Sequence, residues 1–224
     1  MNRHAARTLA ALVFALWVSA SAKAEQFAAS MAETKLDTGT PTNTARGHLA
    51  VADSKVRLEV PDFPDGFFLS DSASGVAYFI RPREHVFMEA RQSSRLAQIL
   101  IPVDSQSACE QWQKPAPAAA VEATASVWRC RRVGDEVIQD RVTVRYALTA
   151  TDGRAFEVWV DRALKFPVRV DADIGVVIEV TDIREGPQPD VAFEIPADFR
   201  KFDPQGLIDR IKQSDVWVDD PPAK

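Results

Sequence analysis

Acidic side chains are abundant in this sequence, and several of them lie close together along the chain. The three clusters are Asp135, Glu136 and Asp140; Asp171 and Asp173; and Asp182 and Glu185. Two carboxylates can suffice for glycoside hydrolysis or general acid–base chemistry. These clusters fall at expected turns or strand ends, where aspartate stabilises a turn by accepting hydrogen bonds from nearby backbone. No perturbing partner accompanies them, so the pattern indicates turns rather than catalysis.

The histidines do not form a metal-binding or catalytic pattern. His48 and His85 fall in separate expected strand regions, without the spacing of a zinc site. The sequence also has no serine-hydrolase elbow, no phosphate-binding glycine loop and no dinucleotide fingerprint. We therefore predict a protein that is not an enzyme and that needs no metal or other cofactor.

The two cysteines of the chain, Cys109 and Cys130, are most simply interpreted as one disulfide in an oxidising compartment. A loop of this size contributes about 3 kcal/mol by restricting the unfolded chain, in the chain-entropy account. A redox couple would favour C-x-x-C spacing, and a metal pair would need further cysteine or histidine ligands. Both alternatives are weaker than a structural disulfide.

The first 24 residues have the three parts of a secretory signal peptide. Arg3 and Arg7 precede an apolar run over residues 9–18, and Ala22, Lys23 and Ala24 form an A-x-A cleavage site. The run is shorter than the roughly 20 apolar residues of a membrane-spanning helix, which disfavours the alternative of a retained anchor. We predict cleavage after Ala24 and a periplasmic location, with no transmembrane segment in the mature protein.

The charge of the mature protein disfavours nucleic acid as a partner. The signal carries three basic residues and no acid, which leaves 24 basic and 32 acidic residues and a net charge of about −8. Such a charge opposes binding to the phosphate backbone. Arginines at alternate positions predict either a solvent-exposed strand face or a row that receives an acidic partner; they are Arg129, Arg131, Arg132, Arg141 and Arg145.

Hydrophobic periodicity predicts a mainly β protein with a few short helices. Residues 25–46 are poor in large apolar side chains and are expected to be a flexible N-terminal lead-in. Residues 47–203 alternate apolar and polar positions between turn signals, as in an antiparallel β domain. Short helices are expected at 93–100, at 107–112 and in the C-terminal helix and tail, 204–224.

In the densest apolar segments, apolar side chains are expected on both faces of neighbouring strands. A two-faced pattern needs a cover on each side, so ordinary core packing is one interpretation. The other is a curved sheet around an apolar cavity that binds a hydrophobic ligand. The predicted lining residues are Phe67, Leu69, Tyr78, Ile80, Phe87 and Leu100.

The order of these elements resembles the LolA/LolB family of periplasmic lipoprotein carriers. The resemblance spans about residues 47–202 and rests on three stretches: GHLAVADSKVRLEV, the D-x-x-x-x-F-P turn from Asp161 to Pro167, and FEIPADF from Phe193 to Phe199. It implies an incomplete antiparallel barrel with short helices over its concave face. It also implies binding of lipid or of lipoprotein acyl chains, and no catalytic residues.

Two functional hypotheses follow from the sequence. The first is a periplasmic binding or carrier protein for a hydrophobic ligand such as a lipid or a lipoprotein acyl chain. The second is a protein-interaction or envelope-stress sensing module on the same fold. In that case an envelope protein would bind the C-terminal tail, residues 214–224, which contains Trp217.

Overall fold

The computed structural model describes residues 25–37, 40–61, 63–90, 99–113, 129–149, 153–172, 175–203 and 206. The predicted signal peptide, most of the expected helix at 93–100 and the C-terminal tail with Trp217 lie outside the described residues. So does the expected C-terminal helix, apart from Gly206, which is helical.

Twelve strands make up most of the described chain. They are β1 (Gln26–Asp37), β2 (Thr40–Ala52), β3 (Lys55–Glu59), β4 (Phe67–Asp71), β5 (Val76–Arg81), β6 (Val86–Glu89), β7 (Arg129–Ile138), β8 (Arg141–Thr149), β9 (Ala155–Asp161), β10 (Phe166–Ala172), β11 (Val176–Glu185) and β12 (Arg200–Lys201). Besides single helical residues at 99 and 206, helix within the described ranges is limited to α1 (Ala108–Trp112) and two 3₁₀ turns, Pro82–Glu84 and Asp190–Phe193.

All twelve strands belong to one open sheet. Its order is β12-β6-β5-β4-β3-β2-β1-β11-β10-β9-β8-β7, so β12 and β7 are its edges. Every pairing is antiparallel except that of β12 with β6. The predicted fold class, a mainly β protein with an antiparallel sheet that does not close into a barrel, is confirmed.

The structure corrects the prediction of a flexible lead-in over residues 25–46. β1 lies in the middle of the sheet, hydrogen-bonded to β2 on one side and to β11 on the other. Phe27 is fully buried, with its ring centroid 5.4 Å from that of Phe166. The segment has few large apolar residues, but Phe27, Ala29 and Met31 at alternate positions suffice for a central strand when distant strands supply its hydrogen bonds.

The larger hydrophobic core lies on one face of the sheet, which we call the core face. Alternate residues of β1–β3 and β8–β11 point into it, and the segment from Ile99 to α1 covers it. Leu100 and Val103 are buried there, and Trp112 of α1 meets the ring of Tyr146 edge-on at 5.6 Å. The Tyr146 hydroxyl donates to the backbone oxygen of Ser105 at 2.6 Å, which ties the cover to β8.

The predicted pair Cys109 and Cys130 has the geometry of a disulfide. Their sulfur atoms are 2.02 Å apart and their Cα atoms 5.3 Å apart. The bond joins α1 to edge strand β7, so it holds the cover of the core face against the end of the sheet.

Candidate ligand-binding groove

The strands β3–β6 separate their apolar side chains onto two faces. Leu69 is paired with Tyr78, and Ile80 with both Phe67 and Phe87, so these five side chains share one face. The intervening residues point to the core face; they are Phe68, Phe79 and Met88.

The five-residue face is covered by a segment that we call the strap, residues 186–202. The strap leaves β11, forms the 3₁₀ turn Asp190–Phe193 and ends in β12, which pairs with β6. Its apolar side chains form a second hydrophobic cluster with the sheet; they are Ala192, Phe193, Ile195 and Phe199. The groove beneath the strap is therefore apolar on its floor and on its roof.

The structure brings together five of the six predicted lining residues. Phe67, Leu69 and Ile80 are buried beneath the strap, with Tyr78 and Phe87 packed at their side in edge-on contact at 5.6 Å. Leu100 does not join them, because it is buried in the larger cluster on the core face. The sequence does not show which face of the sheet a covering segment packs against, so it did not separate Leu100 from the other five residues.

Most of the groove is filled by the protein's own side chains, but a partly open cavity of about 150 Å³ remains beside the strap. Its apolar lining comes from both layers: Leu69, Val76 and Tyr78 from the sheet, and Phe193 and Ile195 from the strap. Lys55, Ser70 and Asp71 complete the lining. Two of the predicted lining residues, Leu69 and Tyr78, thus border an existing space.

One arginine fastens the strap to the sheet. The guanidinium carbon of Arg57 lies 3.5 Å from the centroid of the Phe67 ring. The same guanidinium donates to the backbone oxygen of Ala192 at 3.3 Å and to the carboxylate of Glu59 at 2.8 and 2.9 Å. Since Ala192 belongs to the strap, Arg57 bridges the groove floor and its cover.

The far end of the strap is held at the turn before β6. The Nδ1 atom of His85 lies 2.7 Å from the Asp198 carboxylate, and the His85 ring stacks on Phe199 with centroids 5.1 Å apart. Backbone hydrogen bonds from Arg200 to His85 and from Phe202 to Phe87 complete the attachment. The strap is therefore tied at its 3₁₀ turn and at its end.

The carboxylate at the cavity, that of Asp71, is engaged in the turn between β4 and β5. It accepts hydrogen bonds from Ser54 Oγ at 2.6 Å, from the Ala73 amide at 2.9 Å and from Ser74 Oγ at 3.0 Å. Partial burial raises the pKa of Asp71, but these hydrogen bonds outweigh it and leave the pKa below its ordinary value. Asp71 is thus a turn-stabilising anion.

In each of the other acidic clusters, at least one described carboxylate is paired with an arginine. Asp135 and Glu136 lie inside β7 rather than at the turn or strand end expected from the sequence. Asp135 pairs with Arg132 and Arg162, and Glu136 accepts from Trp159 Nε1 at 2.8 Å. These interactions give the carboxylates a role in stabilising the sheet.

Two features are absent from the described residues. No group of three or more histidine, cysteine, aspartate or glutamate side chains in this part of the chain could hold a metal ion. Among the helices described, none is long and apolar enough to cross a membrane.

The strap is the part of the site that sequence reasoning missed. The stretch FEIP, which forms part of the resemblance, is not a strand, because Phe193 ends a 3₁₀ turn and residues 194–196 are irregular. The alternation of Phe193 with Ile195 was a usable signal of an apolar contact. Nothing in the local pattern, however, indicated that this contact lies across a sheet face 120 residues away in sequence.

No family model and no curated protein sequence matches this chain, but solved structures do. PNGF-II is 12% identical with a TM-score of 0.52; the match covers 85% of this chain and 34% of that one, so this chain spans about a third of PNGF-II. At this identity the similarity is one of fold.

Two further matches are structurally more distant. The Pseudomonas aeruginosa MucA/MucB complex matches at 17% identity over 80% of this chain and 58% of that one, with a TM-score of 0.40. An outer membrane lipoprotein-sorting protein domain from Vibrio parahaemolyticus matches at 13% identity over 75% of this chain and 88% of that one, with a TM-score of 0.31.

Proposed function

We propose that this chain is a periplasmic, non-catalytic binding protein that holds a hydrophobic group between its sheet and its strap. The observation that carries the proposal is the cavity bounded by Leu69 and Tyr78 of the sheet and by Phe193 and Ile195 of the strap. An apolar space between two layers that are joined mainly by side-chain contacts is suited to an apolar ligand.

The size of the cavity limits what the strap-closed form can hold. Its volume is about 150 Å³, which is similar to that of apolar cavities that bind benzene. The closed form can accept the end of an acyl chain or one small ring. A longer chain would have to displace strap side chains and bind along Phe67, Ile80 and Phe87, with a gain of about 0.8 kcal/mol per buried methylene.

Two features of the sequence support a lipid or lipoprotein acyl chain as the ligand class. The predicted signal peptide directs the protein to a compartment between two membranes, where acylated molecules are exchanged. The element order resembles the LolA/LolB carriers, and the open sheet agrees with that resemblance. Leu100, which was predicted to line the site, is omitted from the proposed groove because it lies on the core face.

The polar groups of the cavity support binding rather than catalysis. Asp71 is already hydrogen-bonded to its own turn, and its lowered pKa makes it a poor proton acceptor near neutral pH. Among the described residues that line the cavity, the other polar groups are those of Lys55, Ser70 and Tyr78. Lys55 at the rim is placed to meet a carboxylate or phosphate head group.

Saturation-transfer NMR with octanoate, and acetate as a short-chain comparison, tests the proposal. Val76 lines the cavity and is 40% exposed, so Val76→Trp fills the entrance without disturbing the core. Val142→Trp is the matched control, because Val142 is an exposed strand valine far along the sheet, on β8. We expect octanoate signals with the wild-type protein and the control, and their loss in Val76→Trp. Equal signals in all three proteins, or none in the wild type, would refute the groove as the site.

A further inference from the structure

Strand β7 is an edge strand of the sheet among the residues that the structure describes. Among the described residues, β8 is the only strand that pairs with β7, although β7 is ten residues long. An edge strand presents a row of backbone amides and carbonyls that a further strand can extend. Charged residues commonly protect such an edge, so their arrangement decides whether the edge can accept a partner.

The charges of β7 are sorted by sign along the strand. Arg129, Arg131 and Arg132 occupy its first half, and Asp135 and Glu136 its second half. Antiparallel pairing of β7 with a second copy of itself therefore sets a positive half against a negative half. A parallel pairing would instead set like charges side by side.

A bulge in β7 allows a register of self-pairing in which opposed residues lie on the same face of the sheet. The pairing with β8 shifts between Arg132 and Gly134, which leaves Val133 as the extra residue. Arg132 and Asp135 pair with Tyr146 and Val144 on the core face. Residues 131 and 136 point to the other face of the sheet, where they pair with Ala147 and Thr143.

A two-fold axis between Val133 and Gly134 pairs residues that share a face. It places Arg131 opposite Glu136 of the second copy on one face, and Arg132 opposite Asp135 of the second copy on the core face. It also sets Cys130 opposite Val137, which is 65% exposed in the single chain. Without the bulge, residues 131 and 136 would point to opposite faces and this register would fail.

We propose that the chain forms a two-fold symmetric homodimer by antiparallel pairing of β7 with β7 of a second copy. The pairing continues the sheet across the axis and covers the exposed valines Val133 and Val137. A single strand-to-strand contact is a small interface, so the dimer is expected to be concentration-dependent and weakened by salt. The β7 edge is far along the sheet from the strap groove, so this proposal is independent of the proposed ligand.

Analytical ultracentrifugation of the purified protein over a concentration series, with three variants, tests the dimer. Arg131→Glu places two acidic pairs across the axis, whereas Arg131→Lys keeps the charge and is the matched control. Glu136→Arg places two basic pairs there. We expect a dimer for the wild type and for Arg131→Lys, and a dissociation constant raised about tenfold or more in each charge reversal.

The mixture of Arg131→Glu with Glu136→Arg separates this register from any other contact. In a mixed dimer both cross-axis pairs are again of opposite charge, so the heterodimer should form while each variant alone stays monomeric. Glu136→Arg also removes the hydrogen bond from Trp159, so circular dichroism must first show that it folds; if it does not, Arg131→Glu against Arg131→Lys decides. A monomeric wild type, or a dimer that Arg131→Glu leaves intact, would overturn the proposal.

Discussion

The guanidinium carbon of Arg57 lies over the ring of Phe67, 3.5 Å from its centroid, and the same guanidinium donates to the backbone oxygen of Ala192 at 3.3 Å. Phe67 belongs to the groove floor and Ala192 to the strap, so one side chain couples both layers of the groove. A cation held against a ring contributes about 0.5–2 kcal/mol. Arg57 therefore helps to hold the strap against the sheet.

Arg57→Ala should loosen the strap more than it destabilises the fold. We expect a loss of about 1 kcal/mol in the free energy of unfolding, and faster hydrogen exchange at the strap amides that are bonded within the sheet, those of Arg200 and Phe202. Hydrogen exchange measured by mass spectrometry, together with urea denaturation, checks both expectations. Arg83→Ala is the control, because Arg83 is 82% exposed and contacts Asp65 rather than the strap. Unchanged strap exchange in Arg57→Ala would contradict a fastening role.

Asp71 should make the protein sensitive to acid. Its pKa is lowered in the folded state by hydrogen bonds that exceed the opposing effect of burial, so its contribution is present above the unfolded value of 3.8. That contribution is lost as the pH falls through the lower folded pKa. Asp71→Asn should therefore be less stable than the wild type at pH 7, and the difference should shrink as the pH falls below about 4.

Chemical denaturation at a series of pH values measures this difference. Ser54→Ala removes one donor to Asp71, the Oγ at 2.6 Å, and the double variant tests whether the two residues act together. A stability difference between wild type and Asp71→Asn that stays constant down to pH 2 would show that the carboxylate charge contributes nothing.

The sequence predicted most strands because alternation survives wherever one face is buried. The alternation expected over residues 47–203 is present as antiparallel strands, among them β5, β6 and β9. β7 was harder because an edge strand exposed on both faces carries charge on both, so Asp135 and Glu136 suggested turns. β1 was missed because its pairing with β11 joins segments about 150 residues apart, which no local window contains.

The candidate site was half predictable for the same reason. Side chains alternate between the two faces along a strand, so the sequence indicates which residues of neighbouring strands share a face. The five residues that were grouped in this way do lie on one face; they are Phe67, Leu69, Tyr78, Ile80 and Phe87. Which of two covering segments lies on that face depends on the path of the chain through space. The strap with Phe193, rather than the segment with Leu100, covers the groove, and only the fold shows this.

Tyr146 connects the core cover to the sheet and should make stability fall at alkaline pH. Its hydroxyl donates to Ser105 at 2.6 Å in a buried position, and burial is the main cause that raises its pKa above the ordinary value of 10.0. The folded protein then retains a proton that the unfolded chain loses. Stability consequently decreases as the pH rises above about 10 and towards the folded pKa.

Tyr146→Phe removes both the hydrogen bond and the titration while it keeps the ring against Trp112. At pH 8 we expect the variant to be less stable than the wild type by about 1 kcal/mol, since the Ser105 carbonyl loses its donor. Between about pH 9 and pH 11 the wild type should lose stability faster, because only its unfolded state gains from ionising this phenol. Urea denaturation of both proteins at each pH gives the difference directly, and a gap that does not narrow would mean that Tyr146 ionises equally well in the folded protein.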